Sequence, residues 1–483
     1  ANAVRFPVWP VATAAGVALA AAVLTGRRPA AASLLTYTAI FLSAAAVTLA
    51  TRPRTVMPHG QRLGMNMAVT DTPEAAGRWT KATVRIDRYR AFAGGDTAWH
   101  FSGEKAVARF DTSFRIRPGE RLIATGYAGE LGSADYAWYA RLMQRRGYSQ
   151  SVWIDGRQKL LSLPGRHLTP RYCAARMQAG AAERLSRLGL PPTAYGTAAA
   201  MSIGYRGGLP AGVRDDYGTT GASHLLAVSG LHVGIVAMLV NLLLWLVLPA
   251  FRYGHIIKNA AAITAIWLYT ALTGLPPSAV RAAMMFTGAQ LALAASRTGN
   301  SANILLATAT VMLLVNPNYL YDISFQLSFT AVAGIFLFYR PLYGLVHSRI
   351  KALNAFWAIF MVGLAASLAT APLVSYYFGR IPLIGIILNP LLILTANATV
   401  LLSLLWIIAP LPLLQGPFSA AIGAAAGLQN AVVGLAAEKS WASFPLRLEA
   451  WQVIALYAAV LAACLLLRGR KTKHNEPSLS ETI

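Results

Sequence analysis

The most constraining feature of this sequence is a succession of apolar stretches that are each about as long as a membrane helix. A helix needs about 20 mostly apolar residues to cross a bilayer. Two such stretches, 7–25 and 33–51, begin the 483-residue chain, and nine more follow residue 221. Hydrophobic residues make up 56% of the chain and charged residues only 12%, which is typical of polytopic membrane proteins. The sequence therefore predicts an α-helical protein that crosses a membrane many times.

The loops between these stretches predict the topology. The nine later spans are predicted at 222–250, 256–273, 278–296, 302–315, 323–340, 354–378, 383–409, 416–437 and 450–468. Short loops rich in Lys and Arg remain cytoplasmic, and Arg27 and Arg28 lie in the loop of the first hairpin, 1–51. Alternate later loops and the tail at 469–483 are also basic. We therefore expect both ends of the first hairpin outside and the C-terminal tail in the cytoplasm.

Residues 52–166 have a different pattern. Short alternating or β-branched runs at 82–86, 105–110, 121–126 and 151–154 are separated by Gly-, Pro- and Asp-containing turns. About five short strands with one helix, at 133–146, favour a small barrel of the oligonucleotide-binding (OB) type over a sandwich. The predicted fold is thus a polytopic α-helical membrane protein with a periplasmic, mainly β, OB-like domain inserted after the second transmembrane helix.

The segment 167–208 joins this domain to the later spans. Residues 171–189 alternate apolar side chains with four arginines, which predicts an amphipathic helix on the membrane surface. Residues 193–208 are small and weakly apolar and suit a short or re-entrant helix. The remaining spans, 209–468, then form one helical membrane domain.

The mainly β domain is rich in arginine, in a chain whose net charge is +24. Its candidate DNA-binding residues are Arg85, Arg88, Arg90, Arg109, Arg115, Arg117, Arg121, Arg145 and Arg146. Aromatic residues interleave with them, as in proteins that bind single strands through backbone charge and base stacking. Two alternatives remain open, because many of these aromatics must form the core and basic domains also bind anionic lipid headgroups.

The first later span begins with an unusually polar stretch, His224 to Gly234. Ionisable groups are costly in a bilayer and usually face a bundle interior or an aqueous path. On one helix, His224 and His232 would lie about 80° apart, so both could face one cavity. A functional role and simple cross-linking of helices both remain open for them. Ser229 could act as a nucleophile with a histidine base, although a serine beside glycine is more often a packing residue.

The predicted topology places further irregular segments on the same outer side as this stretch. Irregular backbone survives at membrane depth only where protein or water satisfies it, so a polar vestibule is expected there. The candidate vestibule residues are His224, Ser229, Gly230, His232, Gly234, Gly274, Pro277, Ser278, Arg281, Asp322, Ser324, Gln326, Ser328, Asn389 and Pro390. Three interpretations of Arg281 stay open: it contacts a phosphate, pairs with Asp322, or extends to the membrane interface.

The sequence contains no motif for metal or nucleotide chemistry. It has no His-Glu-x-x-His, no Cys-x-x-Cys and no Gly-x-x-x-x-Gly-Lys-Ser/Thr loop. Its two cysteines, Cys173 and Cys464, form neither a disulfide framework nor a metal site. We therefore expect no cofactor, no metal and no enzymatic activity, and any energy for transport must come from a partner.

Three motifs resemble the ComEC competence proteins, inner-membrane channels for incoming transforming DNA. The motifs are Gly221-Ala-Ser-His224-Leu-Leu-Ala-Val-Ser-Gly-Leu-His232-Val-Gly, Thr273-Gly-Leu-Pro-Pro-Ser-Ala-Val-Arg281-Ala and Asp322-Ile-Ser-Phe-Gln-Leu-Ser-Phe. The resemblance implies an OB-like domain at 52–166, a channel after it, and passage of one DNA strand through a bacterial cytoplasmic (inner) membrane into the cytoplasm.

This resemblance also implies partners. They are single-stranded DNA, membrane lipids, an extracytoplasmic DNA receptor and a cytoplasmic ATPase or single-strand-binding protein. Many family members continue into a metallo-β-lactamase-like domain, whereas this sequence stops about fifteen residues after the last span. A separate nuclease is therefore expected to degrade the other strand. The alternatives are an intramembrane hydrolase that uses Ser229 with His224 or His232, and a transporter of small solutes or lipids.

Overall fold

The protein is described by a computed structural model that covers most of the chain. The described residues are 57–92, 98–131, 146–157, 160–166, 170–247, 254–294, 301–346 and 349–473, with Thr38, Ala46, Ala140, Met143 and Gln144. The predicted first hairpin therefore lies outside the described residues except at two positions, and so does Arg145. The predicted helix at 133–146 is described only at three helical residues and at Arg146.

Seven strands form the N-terminal part of the described chain. They are β1 (Arg62–Val69), β2 (Glu74–Ala76), β3 (Trp79–Ala91), β4 (His100–Asp111), β5 (Glu120–Gly129), β6 (Tyr148–Ile154) and β7 (Leu160–Arg166). The sheet order is β1-β3-β4-β6-β5, and β1 also pairs with β5, so these five strands close into a ring. β4 and β6 run parallel, whereas the other pairs of the ring are antiparallel. β2 adds to β3, and β7 adds to β5.

The alternation of side chains along the strands explains the barrel core. Inward residues such as Met65, Ile86, Phe110 and Leu122 are fully buried, because successive residues of a strand face opposite sides. Gly126 allows β5 to approach β6 closely, since a Cβ at this position would lie 2.5 Å from the Trp153 carbonyl oxygen. The four runs predicted as strands lie within β3, β4, β5 and β6, and the prediction of a mainly β N-terminal domain is confirmed.

Helices make up the rest of the described chain. They are α1 (Pro170–Ser186), α2 (Pro192–Ile203), α3 (Ala211–Thr219), α4 (Gly230–Val247), α5 (Gly254–Leu272), α6 (Pro277–Ala294), α7 (Ser301–Val315), α8 (Ile323–Tyr343), α9 (Lys351–Phe378), α10 (Ile384–Ile408), α11 (Gln415–Ala437) and α12 (Ala450–Lys473). Within the described ranges, four segments are long and apolar enough to span a membrane: Ile323–Tyr343, Leu353–Phe378, Ile384–Ile408 and Pro412–Ala437. Gly230–Leu243, Ser301–Val315 and Ala450–Val460 are shorter apolar helices. A multi-pass helical membrane protein is thus confirmed, while the figure of nine later spans stays a prediction.

The chain divides into two compact units. The first comprises Ala1–Arg214, His224–Gln326 and Ile393–Ala431, and the second comprises Asp215–Ser223, Leu327–Leu392 and Val432–Ile483. In the first unit, apolar residues of α1 and α2 pack with residues of α10 and α11, including Trp406 and Ile422. In the second unit, the short strands β8 (Arg380–Pro382) and β9 (Ser443–Pro445) pair antiparallel.

The helix α1, predicted to lie on the membrane surface, also bonds to other helices of its own unit. The Arg184 guanidinium donates to the Ile407 carbonyl at 3.0 Å, and the Trp406 indole donates to the Arg184 carbonyl at 3.1 Å. Its small and apolar residues are buried on one side. This side is therefore fixed by protein contacts, and contact of α1 with lipid stays a prediction.

Candidate functional site

Exposed aromatic rings and arginines gather on the outside of the barrel, around the facing ends of β3 and β4. The Arg90 guanidinium carbon lies 5.0 Å from the ring centroid of Phe92 and 5.5 Å from that of Trp99. The Arg62 guanidinium carbon lies 5.8 Å from the Phe92 centroid. Phe92 is 48% exposed and Trp99 is 40% exposed, so both rings are partly open to solvent beside the arginines.

Two further aromatic residues extend this area through strand pairing. Phe101, which is 72% exposed, stands opposite the exposed Arg88 in the β3–β4 pair, and Tyr127 stands opposite Arg62 in the β1–β5 pair. Beneath the rings, a Cβ at Gly64 would lie 3.4 Å from the Phe92 ring, which is van der Waals contact. We call this area the Arg–aromatic surface; it consists of Arg62, Arg88, Arg90, Phe92, Trp99, Phe101 and Tyr127.

The other arginines predicted to bind DNA are spread over the domain. Arg109 lies with its guanidinium carbon 5.4 Å from the Trp153 centroid on the β4–β6 pair. Arg115 and Arg117 are exposed in the loop between β4 and β5, and Arg121 is half-buried in β5. Arg85 pairs with Asp87 at 3.2 Å. Of the nine predicted residues, only Arg88 and Arg90 belong to the Arg–aromatic surface.

The polar stretch His224 to Gly234 does not form one helix. His224 lies in a 3-10 turn, Ala222–His224, and is exposed, whereas α4 begins only at Gly230. The backbone N–H of Ser229 donates to His232 Nδ1 at 3.3 Å, which is the bond that Glu or Gln makes in a capping box. Because α4 begins only after Ser229, the premise that both histidines lie on one helix is wrong. That both face one cavity stays a prediction.

His232 is fully buried, and its Nε2 has no hydrogen-bond partner among the described residues. The bond to this histidine uses the backbone amide of Ser229 and not its hydroxyl. The described contact with His232 is therefore not the hydroxyl–imidazole bond that activates a serine nucleophile.

Gly234 of α4 allows close packing on α6, and Gly230 lies at ordinary contact distance from it. A Cβ at Gly234 would lie 3.0 Å from the Phe286 ring, and a Cβ at Gly230 would lie 3.7 Å from the methyl of Ala282. The hydroxyl of Ser278 donates to the Val228 carbonyl at 2.7 Å. Together these contacts hold the start of α6, where Pro277 is the exposed first residue, against the turn before α4.

A buried glutamine, Gln178 of α1, fixes the turn at Gly274. Its Nε2 donates to the carbonyls of Ile203 and Thr273 at 2.8 and 3.0 Å, and its Oε1 accepts from the Thr72 hydroxyl at 3.0 Å. Gly274 has a φ of +84°, and a Cβ there would lie 3.1 Å from Gln178 Nε2. Sequence reasoning missed Gln178, although an amide on the apolar side of an amphipathic helix is a usable signal.

Asp322 has a partner that the sequence did not indicate. Its Oδ2 accepts a hydrogen bond from the guanidinium of Arg146, and its Oδ1 accepts from the Phe325 N–H at 3.2 Å, which caps α8. Arg281 is only 4% exposed, and its Nε and Nη1 have no hydrogen-bond partner among the described residues. The burial of Arg281 within protein argues against a side chain that extends to the interface.

The remaining candidate residues lie in α8 and α10. Gln326 donates through its Nε2 to the Leu320 carbonyl at 2.8 Å, and Ser324 is exposed. Ser328, Asn389 and Pro390 belong to the second unit. A vestibule that they share with residues of the first unit stays a prediction. Within the part of the chain that the structure describes, no group of three or more His, Cys, Asp or Glu side chains could hold a metal ion.

Comparison with known proteins identifies the family. The family model for competence proteins matches residues 201–470. The chain is 33% identical over 208 residues to ComE operon protein 3 of Bacillus subtilis (strain 168), a match that covers 42% of this chain and 25% of that protein. It is 35% identical over 185 residues to an uncharacterized protein of Aquifex aeolicus (strain VF5), covering 38% of this chain and 40% of that protein.

Both matches span less than half of the relatives' own length. No solved structure matches the chain. The family match extends from α2 to α12 and covers more than half of the sequence, and it includes all three motifs that suggested the resemblance. The chain therefore belongs to the competence protein family, of the ComEC type.

Proposed function

We propose that this protein carries single-stranded DNA across the cytoplasmic membrane of a bacterium during natural transformation. Membership of the competence protein family supports a role in DNA uptake, and the apolar helices provide a multi-pass membrane part. The mainly β domain lies outside and gathers the strand, which then passes the vestibule segments 224–234, 274–281 and 322–328 and reaches the cytoplasm.

The Arg–aromatic surface is the observation that carries this proposal. Proteins that bind single strands without sequence preference combine cationic side chains, which contact phosphates, with aromatic rings on which bases stack. Here Arg90 lies beside the rings of Phe92 and Trp99, and all three side chains are at least partly exposed. Guanidinium groups and partly exposed rings thus occur together within the reach of one or two nucleotides.

The strand order supports an OB-like barrel. In OB-folds a five-stranded barrel binds oligonucleotides on the face of its second and third strands. In the ring observed here, β3 and β4 are the second and third strands. They carry Arg88, Arg90 and Phe101, and Phe92 and Trp99 lie directly beside their ends. The location of this surface therefore agrees with an oligonucleotide as its ligand.

Other proteins supply the energy for transport and process the DNA. An extracytoplasmic receptor delivers DNA, a separate nuclease removes the other strand, and a cytoplasmic ATPase or single-strand-binding protein draws the strand inward. An intramembrane hydrolase is less well supported, because the described bond between Ser229 and His232 uses the backbone amide and not the hydroxyl. The lipid-transporter alternative predicts arginines beside lipid headgroups and gives no reason for stacked, exposed rings.

Binding of a labelled oligothymidine to the full chain in neutral-lipid nanodiscs tests the proposal. The double variant Phe92→Ala/Trp99→Ala should weaken binding about tenfold or more, since each base stacked on a ring contributes about 1–3 kcal/mol. Affinity should also fall steeply as salt rises. Trp79→Ala is the matched control, because Trp79 stacks with Arg78 at 5.1 Å at the other end of β3. Binding that ignores salt, or an equal loss in the control, would contradict the proposal.

A further inference from the structure

Arg281 is a buried cation with unused hydrogen-bond donors. A guanidinium stays charged in proteins and carries five N–H donors in a fixed plane. Arg281 is 4% exposed, and its Nε and Nη1 have no partner among the described residues. A buried charge without hydrogen-bond partners is unfavourable, so this geometry suits an anionic ligand that supplies acceptors.

The Asp322 carboxylate already accepts hydrogen bonds at both of its oxygens. Asp322 uses Oδ1 to cap α8 through the Phe325 N–H and uses Oδ2 to bind Arg146. It also interacts electrostatically with Arg281. Among the described residues, Arg146 is the guanidinium that bonds directly to this carboxylate, and the three side chains together carry one net positive charge.

We propose that Arg281 and Arg146 together bind one phosphodiester group of a single DNA strand. While no strand is present, the Asp322 carboxylate binds Arg146 in its place. This site rests on the proposed function and adds a specific contact to it. When the phosphate enters, Arg146 exchanges the carboxylate for a phosphate oxygen, and Asp322 keeps its bond to Phe325. The side chain of Arg146 is 41% exposed, so it can reorient without unpacking the barrel.

Cationic residues of β3 and β4, next in the sheet to the start of β6, favour a strand over a lipid as the occupant. Arg85 stands opposite Lys105 in the β3–β4 pair, and Lys105 stands opposite Tyr148, two residues after Arg146, in the β4–β6 pair. Partial desolvation lowers the pKa of the Lys105 ammonium, and the guanidinium groups of Arg171 and Arg85 lower it further. Like charges on facing residues are unfavourable. Arg85 already pairs with Asp87, so Lys105 is the cation of this pair that an anionic ligand would stabilise. A strand with regularly spaced phosphates can pair with Lys105 as well as with Arg146 and Arg281, whereas one lipid headgroup binds at one of these places.

Substitutions of Asp322 and of Arg281 test the site in the full chain, with oligothymidine as the probe in neutral-lipid nanodiscs. Asp322→Asn frees Arg146 but retains the Oδ1 acceptor for the cap of α8, and it should tighten binding about twofold to fivefold. Arg281→Gln should weaken binding about tenfold or more. Loss of one phosphate contact should also reduce the slope of log affinity against log salt by about 0.7, which a purely structural change would not do.

Matched controls come from Glu183 and Arg187, an exposed ion pair of α1 at 3.1 Å. Glu183→Gln and Arg187→Gln remove the same charges as Asp322→Asn and Arg281→Gln, far along the sequence from the proposed site. If Asp322→Asn binds no tighter than Glu183→Gln, or Arg281→Gln changes the salt slope no more than Arg187→Gln, the site is wrong although DNA binding stands.

If the unmodified protein shows no salt-dependent binding, the proposed function itself fails. If phosphatidylglycerol in the nanodisc abolishes the effect of Asp322→Asn, the occupant is a lipid headgroup and the assignment to DNA is overturned.

Discussion

At the scale of single residues, His232 shows how a polar side chain in an apolar helix can form a hydrogen bond with the backbone at the start of that helix. Its Nδ1 accepts the Ser229 N–H that would otherwise be unpaired at the start of α4. In a neutral imidazole that accepts at Nδ1, the proton is on Nε2, and this atom is buried without a partner among the described residues. The ring therefore has a structural bond on one side and an unused donor on the other.

Two substitutions separate these roles of His232. His232→Gln retains an acceptor for the Ser229 N–H, as in an ordinary capping box, so thermal unfolding should stay close to that of the unmodified protein. His232→Leu removes the acceptor and should lower the free energy of unfolding by about 1–3 kcal/mol. Unfolding in detergent and transformation frequency are measured together. Loss of transformation in both variants without a change in unfolding would show that the histidine contacts the cargo.

The residues that the sequence singles out individually are those with an unusual type for their surroundings. Arg281, Asp322 and the two histidines stand out because charged or polar groups are rare in apolar stretches. Their partners could not be predicted, because Arg146 and Asp322 are 176 positions apart and Gln178 and Thr273 are 95 apart. Only the packing of distant segments determines such pairs.

At the scale of secondary-structure elements, small residues determine how closely helices approach. In the second unit, a Cβ added at Gly334 of α8 would overlap the methyl of Ala369 in α9 and lie 3.0 Å from the Ala365 carbonyl oxygen. Both neighbours belong to the adjacent helix, and one of them is backbone, so neither can move easily. This glycine therefore fixes the crossing of α8 and α9.

Gly334→Ala should destabilise the protein, and Gly363→Ala should not. Overpacking of a close helix contact typically costs about 1–3 kcal/mol. Gly363 of α9 has no atom within 4 Å of an added Cβ, so alanine there should be neutral or slightly stabilising because of its higher helix propensity. Thermal unfolding of the two variants in the same detergent is the measurement. Equal unfolding temperatures would mean that α8 and α9 do not cross at Gly334.

The positions at which helices and strands begin and end depend more strongly on tertiary contacts than the choice between helix and strand does. The apolar run predicted as one span from 222 includes a 3-10 turn and an irregular segment before α4 begins at Gly230. Apolarity alone could not reveal this, because the boundary is set by the bonds from Ser229 to His232 and from Ser278 to Val228. Within the mainly β domain, alternation identified four strands correctly, since burial on one side of a strand is a local pattern.

At the scale of the whole molecule, the proposal depends on which side of the membrane each part occupies. The basic loops predict the mainly β domain outside and the segment between α8 and α9 inside. Thr112, in the loop between β4 and β5, and Arg349, just before α9, are both exposed. Each can therefore report its own side without disturbing the core.

Single cysteines at these positions test the orientation. Thr112→Cys and Arg349→Cys are introduced after replacement of Cys173 and Cys464, and cells stripped of their outer envelope are treated with a charged, membrane-impermeant maleimide. Because the reagent does not cross the bilayer, position 112 should react in intact cells, and position 349 should react only after permeabilisation. The reverse pattern would invert the topology and exclude the proposed direction of transport.

The sequence by itself determined the class of this protein, its apolar helices, its mainly β domain and its family. These properties reside in local composition, in periodicity along the chain and in short motifs, all of which are present before the chain folds. Only the tertiary structure decided that β1 closes the ring with β5, that Arg146 binds Asp322, and that Phe92 and Trp99 gather around Arg90. Apart from the local contact of Arg90 with Phe92, these contacts join residues from separate elements, so they exist only after the elements have packed and cannot be read from any one stretch of sequence.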